Sequence, residues 1–187
     1  EETGRLARLI QNMLDLSKLE SGEYQVNARM FNIWETLTGV ALSAEQRIND
    51  GMIEIEGLTM DEKVLVYADP DLIHQVAYNL LDNAIEACLK LEEAKRRIEV
   101  SVLRDEAYAD GDAKLYVSII NTSLPVHIEK DCIATTKLEP HLHGFGLPCA
   151  KELLRRNNAF YTMDYHDGAF QFCFEWPDVA RNSCVHA

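Results

Sequence analysis

One segment near the middle of the chain determines much of the fold to be expected. Asp69-Pro70 reads as a helix N-cap followed by proline at the first helical position, and a helical pattern runs from there to about Leu91. The side expected to be buried is apolar over its whole length: Leu72, Ile73, Val76, Leu80, Ala84, Ile85 and Cys88. A helix with such a face must pack against a second layer of structure.

Strand-like segments supply that second layer. Strands are predicted at residues 23–30, 52–55, 64–68, 98–103 and 115–120, and a hairpin at 160–165 and 169–176 about Asp167-Gly168. Further helices are predicted at residues 31–48 and at about 145–157. This order, with paired strands late in the chain, predicts an α+β fold in which one sheet carries helices on one face.

The N-terminal segment has a helical pattern of its own. Leu6, Leu9, Met13 and Leu16 form a seam at alternating spacings of three and four residues, and Gly22 follows it. Either this helix packs on its own domain, or it is part of a longer dimerising helix. The second interpretation is favoured because the chain starts inside the periodic pattern. The predicted units are a helix at 1–21, a domain at 22–177 and a tail at 178–187.

Composition excludes several classes of function. The chain has 18 basic and 31 acidic residues, a net charge of −13, which argues against a nucleic-acid groove binder and against binding to an anionic membrane surface. No apolar run is long enough to span a membrane. The five cysteines include no CxxC pair and are expected to be reduced thiols in a cytosolic protein. Spacing alone also permits a zinc site, a weak alternative, built from Cys132, His141, His143 and Cys149.

Two asparagines on the central helix are the first candidate for chemistry. Asn79 and Asn83 are four residues apart and therefore lie on one helical face. A neutral amide oxygen is a hard ligand suited to Mg²⁺, and the amide NH₂ can donate to phosphate oxygens. The competing interpretation is a pair of solvated surface amides.

A glycine-bearing loop is the second candidate. Residues 143–147 read HGFGL just before a predicted helix, and Gly144 and Gly146 would let the main chain approach a ligand closely. The amides of the following helix would point at an anion. The pattern is neither GxGxxG after a strand nor GxxxxGK[ST], so two common nucleotide-binding motifs are absent from the chain. Alone, the segment is equally consistent with a plain loop-to-helix turn.

Together these segments resemble a sensor histidine kinase. The order DLSKLESG, ADPDLIHQVAYNLLDNAIEA and TTKLEPHLHGFGL is similar to the end of the dimerisation helix followed by the ATP-binding catalytic domain of the GHKL superfamily. The glycine segment resembles that of quorum-sensing and citrate-type kinases. The resemblance covers residues 1 to about 177, and it implies a two-layer, Bergerat-like sandwich of a mixed sheet with helices on one face.

The resemblance also implies which residues bind ATP and Mg²⁺. Asn83 matches the Mg²⁺ ligand, Asn79 matches the amide that faces the phosphates of ATP, and Asn121 stands where the family binds the adenine amino group. Lys137 is the candidate for phosphate charge compensation. The remaining ATP-binding positions implied are Thr135, Thr136, His143, Gly144, Phe145, Gly146 and Leu147.

Two departures from the family pattern leave an alternative open. The first glycine box, DxGxG, is replaced by NTSLP at residues 121–125, and Glu86 stands where many relatives have a basic residue. A degenerate pseudokinase acting as a protein-interaction module, with weak or no nucleotide binding, is therefore the alternative. A GHKL ATPase is disfavoured because Asn79 replaces the glutamate that activates water in hydrolysing relatives.

The resemblance implies partners as well. The histidine that accepts the γ-phosphoryl group lies on the preceding helix in the family, so this chain alone is not expected to phosphorylate itself. Its expected partners are its own dimerisation and phosphoacceptor domain, the receiver domain of a response regulator, and a second copy in the full-length protein. The expected location is cytoplasmic, as a free protein or as the cytoplasmic part of a membrane-anchored sensor.

Overall fold

The computed structural model describes residues 27–58, 63–105, 113–129, 132–133 and 146–178. The described strands are β1 Arg29–Asn32, β2 Glu54–Glu56, β3 Leu65–Ala68, β4 Arg97–Asp105, β5 Ala113–Thr122, β6 Ile128–Glu129, β7 Cys132–Ile133, β8 Phe160–His166 and β9 Ala169–Asp178. The described α-helices are α1 Ile33–Ser43, α2 Glu45–Asp50, α3 Pro70–Cys88 and α4 Gly146–Arg156, and a single 3₁₀ turn spans Glu93–Lys95.

The main sheet is mixed, as the resemblance implies. Its strand order is β2-β4-β5-β9-β8, in which β2 runs parallel to β4 and every other neighbouring pair is antiparallel. Strands β1 and β3 form a separate antiparallel ribbon, and β6 pairs with β7. Alternate residues of the central strands are buried against the helices: Ile98, Val100, Leu115, Val117, Ile119, Phe172, Phe174 and Trp176. The predicted α+β sandwich is therefore confirmed.

Helix α3 is the central helix of the helical layer, and its start is the one predicted. The Asp69 side chain accepts hydrogen bonds from the backbone N–H groups of Asp71 and Leu72, at 3.0 and 3.3 Å, and Pro70 follows it. The helix ends at Cys88 rather than near Leu91. Its last turn tightens, because the backbone N–H of Leu91 bonds to the carbonyl of Cys88, three residues back.

The single helix predicted over residues 31–48 is wrong. The chain is still in strand β1 at Asn32, whose side chain accepts from the backbone N–H of Trp34 and caps α1. A break at Ala44 then separates α1 from α2, because the Ala44 N–H bonds back to the Ala41 and Leu42 carbonyls. Ala44 and Ile48 are nevertheless both buried, so the apolar pattern continues across the break.

Other predictions have mixed outcomes. The final helix and the hairpin about Asp167-Gly168 are confirmed at α4 and β8–β9. Cys88 and Cys173 are free thiols and Cys149 is a buried cysteine, and the described residues contain no cluster of three or more His, Cys, Asp or Glu side chains able to hold a metal ion. Within the described ranges no helix is long and apolar enough to cross a membrane. The N-terminal helix and the tail after Asp178 lie outside the described residues.

Candidate functional site

Asn79 and Asn83 lie side by side on α3, as their spacing predicts. Asn79 is 2% exposed, and its side-chain Nδ2 has no hydrogen-bond partner in the described part of the chain. The Asn83 Nδ2 donates to the backbone carbonyl of Asn79 at 2.6 Å. Because that bond occupies the nitrogen end of the Asn83 carboxamide, the oxygen end is left as an acceptor or ligand.

Helix α4 begins directly against this asparagine pair. A Cβ atom built on Gly146, the first residue of α4, would lie 3.0 Å from Asn83 Nδ2 and 3.5 Å from Asn79 Oδ1. The absence of a side chain at Gly146 is therefore what permits this approach. The first N–H groups of a helix lack acceptors within the helix, so α4 brings backbone donors and its positive dipole end to the two amides.

Asn121 lies at the end of β5, on the sheet face that carries the buried residues. It is 3% exposed, and its register partner on β9 is Phe170. The Asn121 Nδ2 donates to the backbone carbonyl of Thr122 at 3.0 Å. The oxygen end of this carboxamide is therefore also left as an acceptor.

A set of hydrogen bonds joins the end of α3 to the end of β5. The Cys88 thiol donates to the carbonyls of Arg97 and Thr122, at 3.4 and 3.5 Å, and the Thr122 hydroxyl donates to the Lys95 carbonyl at 2.6 Å. Burial raises the pKa of Cys88, which keeps the thiol protonated as a donor. One helix thus carries the asparagine pair and is also anchored beside Asn121.

Two carboxylates of α3 and its N-cap make contacts within the fold. Asp82, adjacent to Asn83 in sequence, forms an ion pair with Arg47 of α2. The Asp69 carboxylate caps α3 and accepts the backbone N–H of Asn27 at 2.8 Å. Both carboxylates are thus engaged in structural contacts, and Asn79 and Asn83 themselves are neutral amides.

An apolar cavity on α3 is distinct from this face. Ala77 and Leu81 line it, and they lie two positions from Asn79 and Asn83, which is roughly 200° around a helix. Its other walls are the apolar residues Leu37, Val40, Ala41, Ile55, Leu58, Val100 and Ile119. This cavity belongs to the hydrophobic core and offers no polar group for a charged ligand.

The structure thus brings together part of the set expected from sequence. Asn79, Asn83 and Gly146 are in contact, and Asn121 lies on the adjoining strand. Leu147 is half-buried and packs against the hydrophobic core. The other expected binding residues, which are Thr135, Thr136, Lys137, His143, Gly144 and Phe145, lie outside the described residues.

Sequence reasoning missed the buried hydroxyl of Ser123. The residue is 8% exposed, and its Oγ has no hydrogen-bond partner within the described ranges. Its position two residues after Asn121, on the same strand face, was the signal available in the sequence.

Comparisons with known proteins identify the family of the chain. Residues 70–176 match the GHKL domain family. The chain is 27% identical over 174 residues to Drug sensory protein A of Synechocystis sp., covering 84% of this chain and 25% of that protein. It is 26% identical over 178 residues to the sensor histidine kinase WalK of Bacillus subtilis, covering 89% of this chain and 27% of that protein. The chain thus spans about a quarter of the length of these two relatives.

Solved structures share the fold. The Acinetobacter baumannii histidine kinase AdeS superposes with a TM-score of 0.71 at 19% identity, covering 93% of this chain and 79% of that one. The catalytic domain of the histidine kinase ThkA gives a TM-score of 0.60 at 25% identity, covering 81% and 96%. With the match over residues 70–176, which is more than half of the sequence, these likenesses show that the chain belongs to the GHKL family and has the fold of histidine kinase catalytic domains.

Proposed function

We propose that this chain is the ATP-binding catalytic domain of a two-component sensor histidine kinase. In the full-length protein it would supply the γ-phosphoryl group of Mg–ATP to a histidine on the preceding helical domain, and thence to the receiver domain of a response regulator. The observation that carries the proposal is the contact of Gly146, at the start of α4, with Asn79 and Asn83. Neutral amides and helix N–H groups meeting at one point suit a polyphosphate bound with its metal ion.

The donor set fits a magnesium ion. Asn83 would ligate it through Oδ1, since its Nδ2 is already bonded to the Asn79 carbonyl. The buried, unpartnered Nδ2 of Asn79 would donate to a phosphate oxygen, which satisfies an otherwise unpaired donor. When bound, Mg²⁺ supplies charge neutralisation for the transferring phosphoryl group. The N–H groups at the start of α4 would hold the phosphates in position.

The residues at the site favour transfer to another group over hydrolysis. An amide at Asn79 cannot accept a proton from water, so the pocket would hold ATP until an external histidine attacks it. At the other end of the nucleotide, the Asn121 oxygen would accept from the adenine amino group. The sequence-implied residues Thr135, Thr136, Lys137, His143 and Gly144 are proposed to close over the phosphates, with Phe145 and Leu147 beside them.

Partners are proposed from the relatives. A structure of ThkA in complex with the response regulator protein TrrA shares this fold at 22% identity and a TM-score of 0.64. It supports a receiver domain as the second phosphoryl acceptor. The N-terminal segment 1–21 is proposed to continue a dimerisation helix, which makes the full-length protein a homodimer.

Asn83→Ala tests the assignment. Calorimetric titration with a non-hydrolysable ATP analogue, with Mg²⁺ and with EDTA, should show metal-dependent binding in the parent chain and none in the variant. Asn157→Ala is the matched control, because its Nδ2 also donates to a carbonyl four residues back, that of Leu153, at 2.8 Å. The control should bind as the parent does. Equal affinity of Asn83→Ala and parent would refute the magnesium assignment.

Two further outcomes bear on the function itself. If the parent chain binds no nucleotide at millimolar concentration, the kinase proposal fails and the pseudokinase alternative replaces it. Stoichiometric phosphohistidine on the isolated chain would contradict the proposal that the acceptor histidine lies on the preceding helical domain.

A further inference from the structure

Ser123 has a buried hydroxyl that the fold itself does not use. The residue is 8% exposed, and its Oγ has no hydrogen-bond partner in the described part of the chain. Buried polar side-chain atoms are nearly always paired, so an unpaired one points to a ligand or to bound water. The resemblance described above places a glycine here, which would have no side chain to offer.

The backbone determines where this hydroxyl faces. The Ser123 N–H donates to the Gly168 carbonyl at 2.9 Å, which extends the pairing of β5 with β9 by one residue beyond Thr122 and Ala169. Side chains alternate along a strand, so Ser123 lies on the same face as Asn121. Both are buried, as is Ile119 before them.

The two side chains offer complementary hydrogen-bonding groups. The Asn121 amide nitrogen is bonded to the Thr122 carbonyl, so the group available from Asn121 is an acceptor. The Ser123 hydroxyl is an available donor. The edge of adenine carries an amino donor beside the ring nitrogen N1, an acceptor, whereas guanine carries a carbonyl acceptor beside an N1–H donor. The Asn121 acceptor matches the amino group of adenine and opposes the carbonyl of guanine, and the Ser123 hydroxyl can supply the donor that N1 of adenine requires.

We propose that the Ser123 hydroxyl donates a hydrogen bond to N1 of the bound adenine, beside the Asn121 contact with the amino group. This inference rests on the proposed function, because it needs an adenine nucleotide in the pocket. It assigns to the altered box at residues 121–125 a direct role in recognising the base. The unpaired hydroxyl then acquires a partner when the nucleotide binds.

The test removes the Ser123 hydroxyl from the protein and the N1 nitrogen from the nucleotide, separately and together. Ser123→Ala and the parent chain are each titrated with Mg–ADP and with its 1-deaza analogue, in which N1 is replaced by C–H. The parent should bind the analogue about tenfold more weakly than ADP, since one hydrogen bond is lost. Ser123→Ala should bind ADP about tenfold more weakly than the parent does, and should bind the two ligands equally.

Thr38→Val provides the matched control. Thr38 also has a buried hydroxyl without a hydrogen-bond partner among the described residues, but it lies on α1. This variant should keep the parent affinities for both ligands. If the alanine variant does not fold, Ser123→Gly replaces it in the titrations, since glycine is the residue that the resemblance expects at this position.

The outcomes separate the two proposals. Suppose that the parent binds ADP, and that replacing ADP by its 1-deaza analogue lowers the affinity equally in the parent and in Ser123→Ala. This inference is then wrong and the proposed function stands. If the parent binds neither ligand, the proposed function fails, and the inference fails with it.

Discussion

Replacing Gly146 by alanine perturbs the contact between α4 and the asparagine pair with a single methyl group. The added Cβ would lie 3.0 Å from Asn83 Nδ2, where ordinary contacts begin at 3.4 Å, so the amide must move by the difference, 3.4 − 3.0, or 0.4 Å. It would also lie 3.5 Å from Asn79 Oδ1, an ordinary contact. The displacement therefore falls mainly on Asn83, the proposed ligand of Mg²⁺.

The substitution should weaken nucleotide binding without destabilising the fold. Moving Asn83 weakens an interaction with a charged ligand, which is worth about 1.5–3 kcal/mol, or roughly a tenfold to hundredfold loss of nucleotide affinity. The backbone of Gly146 is not in the left-handed region, so alanine fits its conformation. Replacing glycine where the backbone conformation allows alanine contributes about 0.4–1 kcal/mol to the free energy of unfolding, and the displacement of Asn83 offsets part of that gain. The melting temperature should then stay level or rise by about 2–4 °C.

The assay pairs calorimetric titration with thermal unfolding of the nucleotide-free chain. Gly39→Ala is the control, because Gly39 is exposed within α1 and a Cβ there would meet nothing within 4 Å. It should raise the melting temperature and leave nucleotide affinity unchanged. Full affinity in Gly146→Ala would refute the reasoning, since Asn83 would then tolerate displacement without loss of the ligand.

Two further predictions concern stability. Asn79→Leu removes a buried amide whose Nδ2 is unpaired within the described residues. It should raise the free energy of unfolding by about 1–3 kcal/mol while abolishing nucleotide binding. A variant that is less stable and still binds nucleotide would contradict this prediction. Hydrogen bonds from Arg155 and Arg156 lower the pKa of Glu152 from its ordinary value of 4.5 to about 2. Its ionised form therefore favours the folded state, and this contribution is complete above pH 4.5 and is lost as the pH falls towards 2. Glu152→Gln should cost about 1 kcal/mol in urea unfolding at pH 7 and much less near pH 2, where half of the folded-state carboxylate is protonated, whereas a pH-independent difference would disprove the ion-pair origin.

Much of the fold could be predicted because its signals are local. The Asp69-Pro70 start of α3 and the turn at Asp167-Gly168 each depend on residues adjacent in sequence, and both are observed. The break at Ala44 was not predictable from periodicity, because the buried pattern continues through it and only the backbone changes direction. The early end of α3 was missed for a similar reason, since the apolar pattern continued past Cys88.

The site was predictable in its parts but not in its assembly. The spacing of Asn79 and Asn83 placed them on one face from sequence alone. Their contact with Gly146 joins positions more than sixty residues apart, and it depends on how α4 packs on α3. The unpaired hydroxyl of Ser123 likewise follows from tertiary burial, which no local pattern reports.

The position of β9 has a consequence for how the protein is made. This strand, the last described element of the chain, inserts between β5 and β8. Until it leaves the ribosome, β5 has an open edge along the whole register from Ala113 to Thr122, which can pair with another chain. The sheet is therefore completed only after β9 has emerged, so β5 must remain without a partner on that edge for most of the synthesis of the domain.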